Sequence, residues 1–240
     1  MKNFIKKFFK YFDYKISRYN NFSNVSSIDI LSNVFDRKDD ITIFDVGAHI
    51  GQSTKNYRQL FKNSHIYAFE PSPEAFKILK SLDIKNFKPF NFGFSNKKTK
   101  EEFYINSRNT ATNSLLAFAE NAKDVWGIKS LNNMDKIVCE FNTVDSFLIE
   151  NKIKKIDFMK LDVQGAEYLV LEGAKDSLLK QRIKLIQVEV IIGDTYINQK
   201  SLGYYLNFFE SYGYKLKIFS DNVIRNGVLI QTDLFFTIWF

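Results

Sequence analysis

The stretch Asp45-Val-Gly-Ala-His-Ile-Gly-Gln-Ser-Thr54 follows a short β-rich run, Ile41 to Val46, and carries Gly47 and Gly51. Glycines there let a backbone approach a ligand closely, and Ser53 or Thr54 can cap the helix that follows. The dinucleotide fingerprint G-x-G-x-x-G is absent, and so is the lysine of a nucleoside-triphosphate loop. Glu70 closes a second β-rich run, His65 to Phe69. A carboxylate at that place can accept from both hydroxyls of a ribose; its alternative use is to cap the helix beginning near Pro73. Together the two features predict a ribose-bearing cofactor. Asp162 ends a further run, Ile156 to Leu161, and Glu189 lies inside the apolar run Lys184 to Val190. A carboxylate buried in such a strand needs a partner, so Glu189 is either functional or paired. Asp162 can serve chemistry or cap the helix near Gly165. Four of five strand ends are thus acidic, the fifth being Asn91 to Gly93. This suits a ligand of hydroxyls and ammonium groups better than a phosphate.

Positioning these ends requires parallel strands, and the apolar pattern supplies them. Strands are predicted at 41–46, 65–69, 87–92, 97–106, 136–141, 156–161, 184–190, 214–219 and 234–240. Helices are predicted at 54–62, 73–82, 166–179 and 202–211, with Pro73 in a first turn. Strand–helix alternation argues for a doubly wound α/β sheet with helices on both faces. The polar connection 220–232 is too short for a crossover helix, so the last strand should run antiparallel.

The chain has 240 residues with Lys+Arg 34 and Asp+Glu 27, a net charge of +7. Of this, +5 falls in residues 1–20 (six Lys or Arg against Asp13), leaving 7 − 5 = +2 for the rest. The body therefore lacks the basic face that nucleic acid requires. Phe4, Ile5, Phe8, Phe9 and Phe12 recur at helical spacing between lysines. They either pack on the body or lie on an anionic membrane surface. No run reads as a signal peptide or a span, so the expected location is cytoplasmic, with peripheral membrane contact through residues 1–20 as the alternative. One cysteine, Cys139, and two histidines exclude an internal disulfide and zinc-knuckle and three-histidine sites. The expected organisation is a basic helical extension, 1–35, before one domain, 36–240.

The blocks FDVGAHIGQST, YAFEPSPEAF, FNFGFSN and, after NTVDSF, FMKLDVQGAEYLVLEGA resemble those of the FkbM-type family of S-adenosylmethionine-dependent methyltransferases. They come in the family's order and cover about residues 41–240. The resemblance implies the seven-stranded class I methyltransferase fold and S-adenosyl-L-methionine as cofactor. It implies that Asp45, Gly47, Ala48, His49, Gly51, Gln52, Ser53 and Thr54 wrap the methionine part. Glu70, with Pro71 and Ser72, would then hold the ribose, Asn91 to Gly93 would lie near the adenine, and Asp162 would face the reaction centre. The chain departs from the family at His49, where Asn is most frequent, and at Gln164, where many members carry Glu.

Transfer to a hydroxyl needs alignment and help in removing its proton. Asp162, His49 and Glu189 are the candidates, with His49 also suited to holding the cofactor carboxylate. Two carboxylates are too few for a metal assignment. Segments 107–114 and 193–196 are expected over the acceptor, with Arg108, Asn113 and Tyr196 as hydroxyl or phosphate partners. The leading expectation is an O-methyltransferase for a small-molecule or glycan acceptor. The alternatives are an NAD(P)-binding oxidoreductase and a non-catalytic membrane-surface module. An Asn-Pro-Pro-aromatic motif for amino methylation is missing, and Cys139 does not stand beside proline as a cytosine C5 nucleophile does.

Overall fold

The computed structural model describes residues 25–127 and 134–238. The amphipathic stretch 1–20, and Trp239 and Phe240 of the last expected strand, lie outside the described residues. Seven strands form the main sheet: β1 (Thr42–Val46), β2 (His65–Phe69), β3 (Phe87–Phe90), β7 (Ile156–Leu161), β8 (Ile183–Ile191), β9 (Lys215–Arg225) and β10 (Val228–Thr237). Their order is β3-β2-β1-β7-β8-β10-β9, with β10 antiparallel to both neighbours. This is the expected doubly wound sheet with a reversed last strand.

Strands buried on both faces read as nearly continuous apolar runs, because helices cover each side of a parallel sheet. On one side Phe44, Val46, Met159, Leu161, Ile186 and Val188 pack under α5 (Val144–Glu150), α6 (Glu167–Glu172), α7 (Lys175–Leu179) and α8 (Leu202–Ser211). On the other, Ile43, Phe158, Leu185 and Phe235 meet α1 (Ser27–Val34) and α2 (Gln52–Leu60) through Ile30, Leu31, Tyr57 and Leu60. Ser26 caps α1 by accepting from the Asp29 amide, so part of the expected 1–35 extension packs on the sheet. Helix α3 (Pro73–Lys80) sets Ala75 and Leu79 inward, and the short α4 (Ala122–Trp126) lies against the loop after β8, with Trp126 Nε1 donating to Thr195 Oγ1.

Several elements differ from their expected form. Strand β3 stops at Phe90, and Gly93–Phe94 (β4) turns to pair with β6 (Asp135–Asn142). With β5 (Thr99–Ile105) these make a separate sheet, β4-β6-β5, instead of extending the main one. The expected helix 166–179 breaks at Gly173, where a Cβ would stand 2.1 Å from the Ser95 carbonyl oxygen. Asp145 then accepts from the amides of Asp176 and Ser177 and starts α7. The connection 220–232 is mostly strand: β9 and β10 form a long hairpin turned at Asn226 (φ 50°) and Gly227 (φ 77°). Positive φ at both positions is the geometry an Asn-Gly turn supplies.

Candidate active site

The strand order reverses between β1 and β7, and there, beyond their carboxyl ends, lies a cavity of about 360 Å³. Open α/β sheets bind ligands at this point. Gly47, at φ 79°, lets the loops after β1 and β7 close on each other: a Cβ would sit 1.8 Å from the Asp162 carbonyl oxygen. His49, at φ 49°, turns its amide toward Glu70, donating to Oε2 at 2.9 Å while the Ser72 amide donates to Oε1 at 2.8 Å. Burial pushes the Glu70 carboxyl up to about 7 despite these two donors. Burial also lowers the His49 imidazole, whose Nε2 lies 2.8 Å from Thr110 Oγ1, bridging to the segment roofing the cavity. Phe94, Phe103, Leu115 and Phe141 supply an apolar wall.

Opposite that wall the sheet register assembles a polar group. Asp45 pairs with Lys160 across β1 and β7, Lys160 with Gln187 across β7 and β8, and Glu189 with Asp233 across β8 and β10. Lys160 Nζ donates to Asp162 Oδ2 at 2.8 Å, with 12% of the lysine side chain exposed and 28% of the aspartate. Gln164 Nε2 donates to Asp162 Oδ1 at 2.8 Å and to Glu189 Oε2 at 2.7 Å, and Gln231 Nε2 to Glu189 Oε1 at 2.7 Å. Burial works against charge on both members of the Lys160–Asp162 pair, but their attraction outweighs it. The lysine is held well above and the aspartate below its ordinary range. Burial, then the Asp162 charge, drives Glu189 well above the carboxylate range, so of the two acids Glu189 holds a proton the more tightly. Among the described residues no cluster of three or more metal-ligating side chains is present.

Of the expected cofactor residues, Gly47, Ala48, His49, Gln52, Ser53, Glu70, Pro71, Gly93 and Asp162 line the cavity, as does Glu189. Asp45, Gly51, Thr54, Ser72 and Asn91 stand behind it. Thr54 does not cap α2, which starts at left-handed Gly51 without a side-chain cap; its hydroxyl donates to fully buried Asp45 at 2.6 Å. Burial raises Asp45 even so. Asn91 donates to the carbonyls of Glu70 and Pro71, bracing the backbone that presents the carboxylate. Asp162 caps no helix: α6 starts after Ala166 without a side-chain cap, and Glu167 accepts from the amides of Val163 and Gly165, bracing the loop that leads into it. Thr110, Ala111 and Asn113 line the roof, whereas Arg108 is exposed and away from the cavity. Buried Tyr196 directs its hydroxyl to the Thr112 carbonyl and to Gln164 Oε1.

Lys160, Gln231 and the aromatic wall went unseen in the sequence, and Gln164 stood out there only as a departure from the family, not as a bridge between Asp162 and Glu189. Lys160 left one signal, a lysine two residues before Asp162 in the apolar run IDFMKL. Gln231 and the wall depend on pairings that no local pattern encodes.

The chain matches the methyltransferase FkbM domain family over residues 45–216. A curated relative, the 2-O-methyltransferase NoeI of Sinorhizobium fredii, is 24% identical over 159 residues, covering 60% of this chain and 62% of that protein. The crystal structure of methyltransferase FkbM from Methylobacillus flagellatus KT superposes with a TM-score of 0.54 at 14% identity, over 85% of this chain and 45% of that one. The METTL16 methyltransferase domain gives 0.50 at 12% identity, over 88% and 65%. The chain thus spans less than two thirds of the length of each of these relatives. The family match, over more than half the chain, decides between the nicotinamide and methyl-donor readings of the glycine turn: the protein belongs to the FkbM family of S-adenosyl-L-methionine-dependent methyltransferases.

Proposed function

We propose that the protein O-methylates a hydroxyl of a neutral, hydroxyl-rich acceptor, a sugar or glycan. The carrying observation is the Asp162 carboxylate, open to the cavity and anchored on one oxygen by Lys160 and on the other by Gln164. The distant likeness to a 2-O-methyltransferase supports the same reading.

The cavity suits the cofactor by its donors and walls. Glu70 keeps lone pairs for ribose hydroxyls after accepting two backbone amides. Phe94, Phe103, Leu115 and Phe141 offer an apolar slot for a base, and Gly47 to Ser53 leave backbone close to the ligand. When bound, S-adenosyl-L-methionine supplies an electrophilic methyl group on a sulfonium, whose S–CH₃ electron pair leaves with sulfur.

As the acceptor oxygen gains the methyl group its O–H proton becomes strongly acidic, so even a carboxylate held at low pKa can take it. Asp162 fills this role; neutral His49, bonded to Thr110, positions the roof. Glu189, held by two glutamines and pushed well above the carboxylate range by burial, supports Asp162 without serving as the resting base. Lys160 is the one lysine or arginine among the described lining residues, and its charge is committed to Asp162. A phosphate at the reacting end would meet carboxylates, which favours a neutral acceptor.

Labelled methyl transfer screened against sugars, oligosaccharides and sugar phosphates tests this reading. Label on a neutral sugar hydroxyl is expected; label on nitrogen, or preference for the phosphorylated sugars, would overturn it. The basic, Phe-rich stretch 1–20 supports a separable proposal, a cytoplasmic protein that touches anionic membrane. Flotation with phosphatidylserine vesicles, lost when Lys2, Lys6, Lys7 and Lys10 become Gln, would bear it out; no flotation would reject it.

A further inference from the structure

We propose that Gln164 is the positioning residue of the transfer site: its side-chain amide ties Asp162 and Glu189 into one acid pair and keeps Asp162 as the proton acceptor. This rests on the reading of Asp162 given above.

An amide nitrogen carries two hydrogens, and Gln164 spends one on each carboxyl, at 2.8 and 2.7 Å. The opposite orientation would set the amide oxygen against the Asp162 carboxylate. That oxygen instead lies 3.2 Å from the Tyr196 hydroxyl, whose hydrogen is shared with the Thr112 carbonyl. With Lys160 on Asp162 Oδ2 and Gln231 on Glu189 Oε1, each of the four carboxyl oxygens has a donor, and Glu189 also hydrogen-bonds Asp162 directly, so the amide bridges two acids that already touch.

The chain holds Gln164 at φ 57°, in the left-handed region that non-glycine residues rarely adopt. Glu167 grips the amides on both sides, of Val163 and Gly165. The Tyr196 ring packs so closely over Gly165 that a Cβ there would be 3.0 Å away. Strain maintained by its surroundings at the cavity edge marks a conformation that serves the site.

A glutamate at 164 could not donate, and would add a third acid where one proton already has to be shared. The charged and titratable groups facing the pair are Asp45 and Lys160 from β1 and β7, Asp233 from β10, Glu167 from α6, Glu70 after β2, and His49 and Tyr196 from the loops. Gln164 lies between the two carboxyls and is neutral, so it favours charge on Asp162 without adding to the repulsion.

The test is a carbon-13 NMR titration of side-chain carboxyls in the full chain, with Asp162→Asn and Glu189→Gln assigning the signals. In the unaltered protein Asp162 should titrate below the ordinary carboxylate range and Glu189 above it. Gln164→Met keeps the side-chain volume and removes both donors; the Asp162 midpoint should rise by about one pH unit, a tenfold change in proton affinity. Gln164→Glu should raise it further. Glu70, which Gln164 does not touch and which feels Asp162 only through its charge, should move far less than Asp162 in both. Parent-like Asp162 and Glu189 midpoints in both variants would overturn the inference. So would two independent, ordinary midpoints in the unaltered protein, a result that needs no variant to fold. The titration uses no acceptor: shifted midpoints together with transfer to nitrogen would uphold the pair and reject O-methylation.

Discussion

Asp162 and Glu70 face the same cavity and have different roles in the proposed function, and substitution should separate them. Asp162→Asn removes the proposed proton acceptor and keeps the shape, so turnover should fall by roughly 10²- to 10⁴-fold, the usual contribution of a positioned base. The donor dissociation constant, read by calorimetry, should change far less; retained turnover would remove Asp162 from the chemistry. Glu70→Gln loses a charged acceptor worth about 1.5–3 kcal/mol, weakening donor binding by about ten- to a hundredfold. Because burial sets Glu70 near 7, donor affinity should strengthen as pH rises through about 7 in the parent and become flat in Glu70→Gln. An unchanged affinity and slope in the variant would reject the ribose role. The acids at the strand ends were legible in the sequence because type and position alone identify them. Their charge states were not, since these follow from Lys160, Gln164 and Gln231, which reach Asp162 and Glu189 only through the fold.

At the scale of elements, the turn after β1 is held from behind. Thr54, on the first turn of α2, gives its hydroxyl to Asp45, whose other oxygen is buried without a partner among the described residues. Thr54→Val should therefore cost about 1–3 kcal/mol, the usual penalty for an orphaned buried acceptor. Urea unfolding would measure it, and an unchanged midpoint would show that Asp45 does not depend on this bond. The same turn shows why sequence reading succeeds in part. The run Ile41–Val46 and the glycines placed β1 and its loop, because apolar strands and glycine turns are local signals. The break at Gly173 and the separate β4-β6-β5 sheet come from contacts of distant segments, Ser95 with Gly173 and Gly93 with Phe141. The β9–β10 hairpin is a different case: Asn226-Gly227 is a local turn signal, present in the sequence but not given its full weight.

Over the whole molecule, burial raises Glu70 and Asp233 to about 7 and Glu167 to about 8. A carboxyl whose folded pKa exceeds its unfolded value stabilises the fold while protonated and loses that contribution as pH rises through the folded value. Asp162, held low, acts in reverse and costs stability only as pH falls below about 4. The free protein should accordingly be most stable near pH 5, with Tm falling by about 5 °C or more between pH 5 and 8. A melting temperature that is flat or rises over that range would show that these acids are solvated. The family, the fold and the acids converge on one claim, that the cavity between β1 and β7 grips the methyl donor beside Asp162. A crystal structure with S-adenosyl-L-homocysteine tests this most directly. The account predicts the ribose hydroxyls on Glu70, the base against Phe94, Phe103 and Phe141, and the sulfur facing Asp162; a nucleoside bound elsewhere, with this cavity empty, would contradict it.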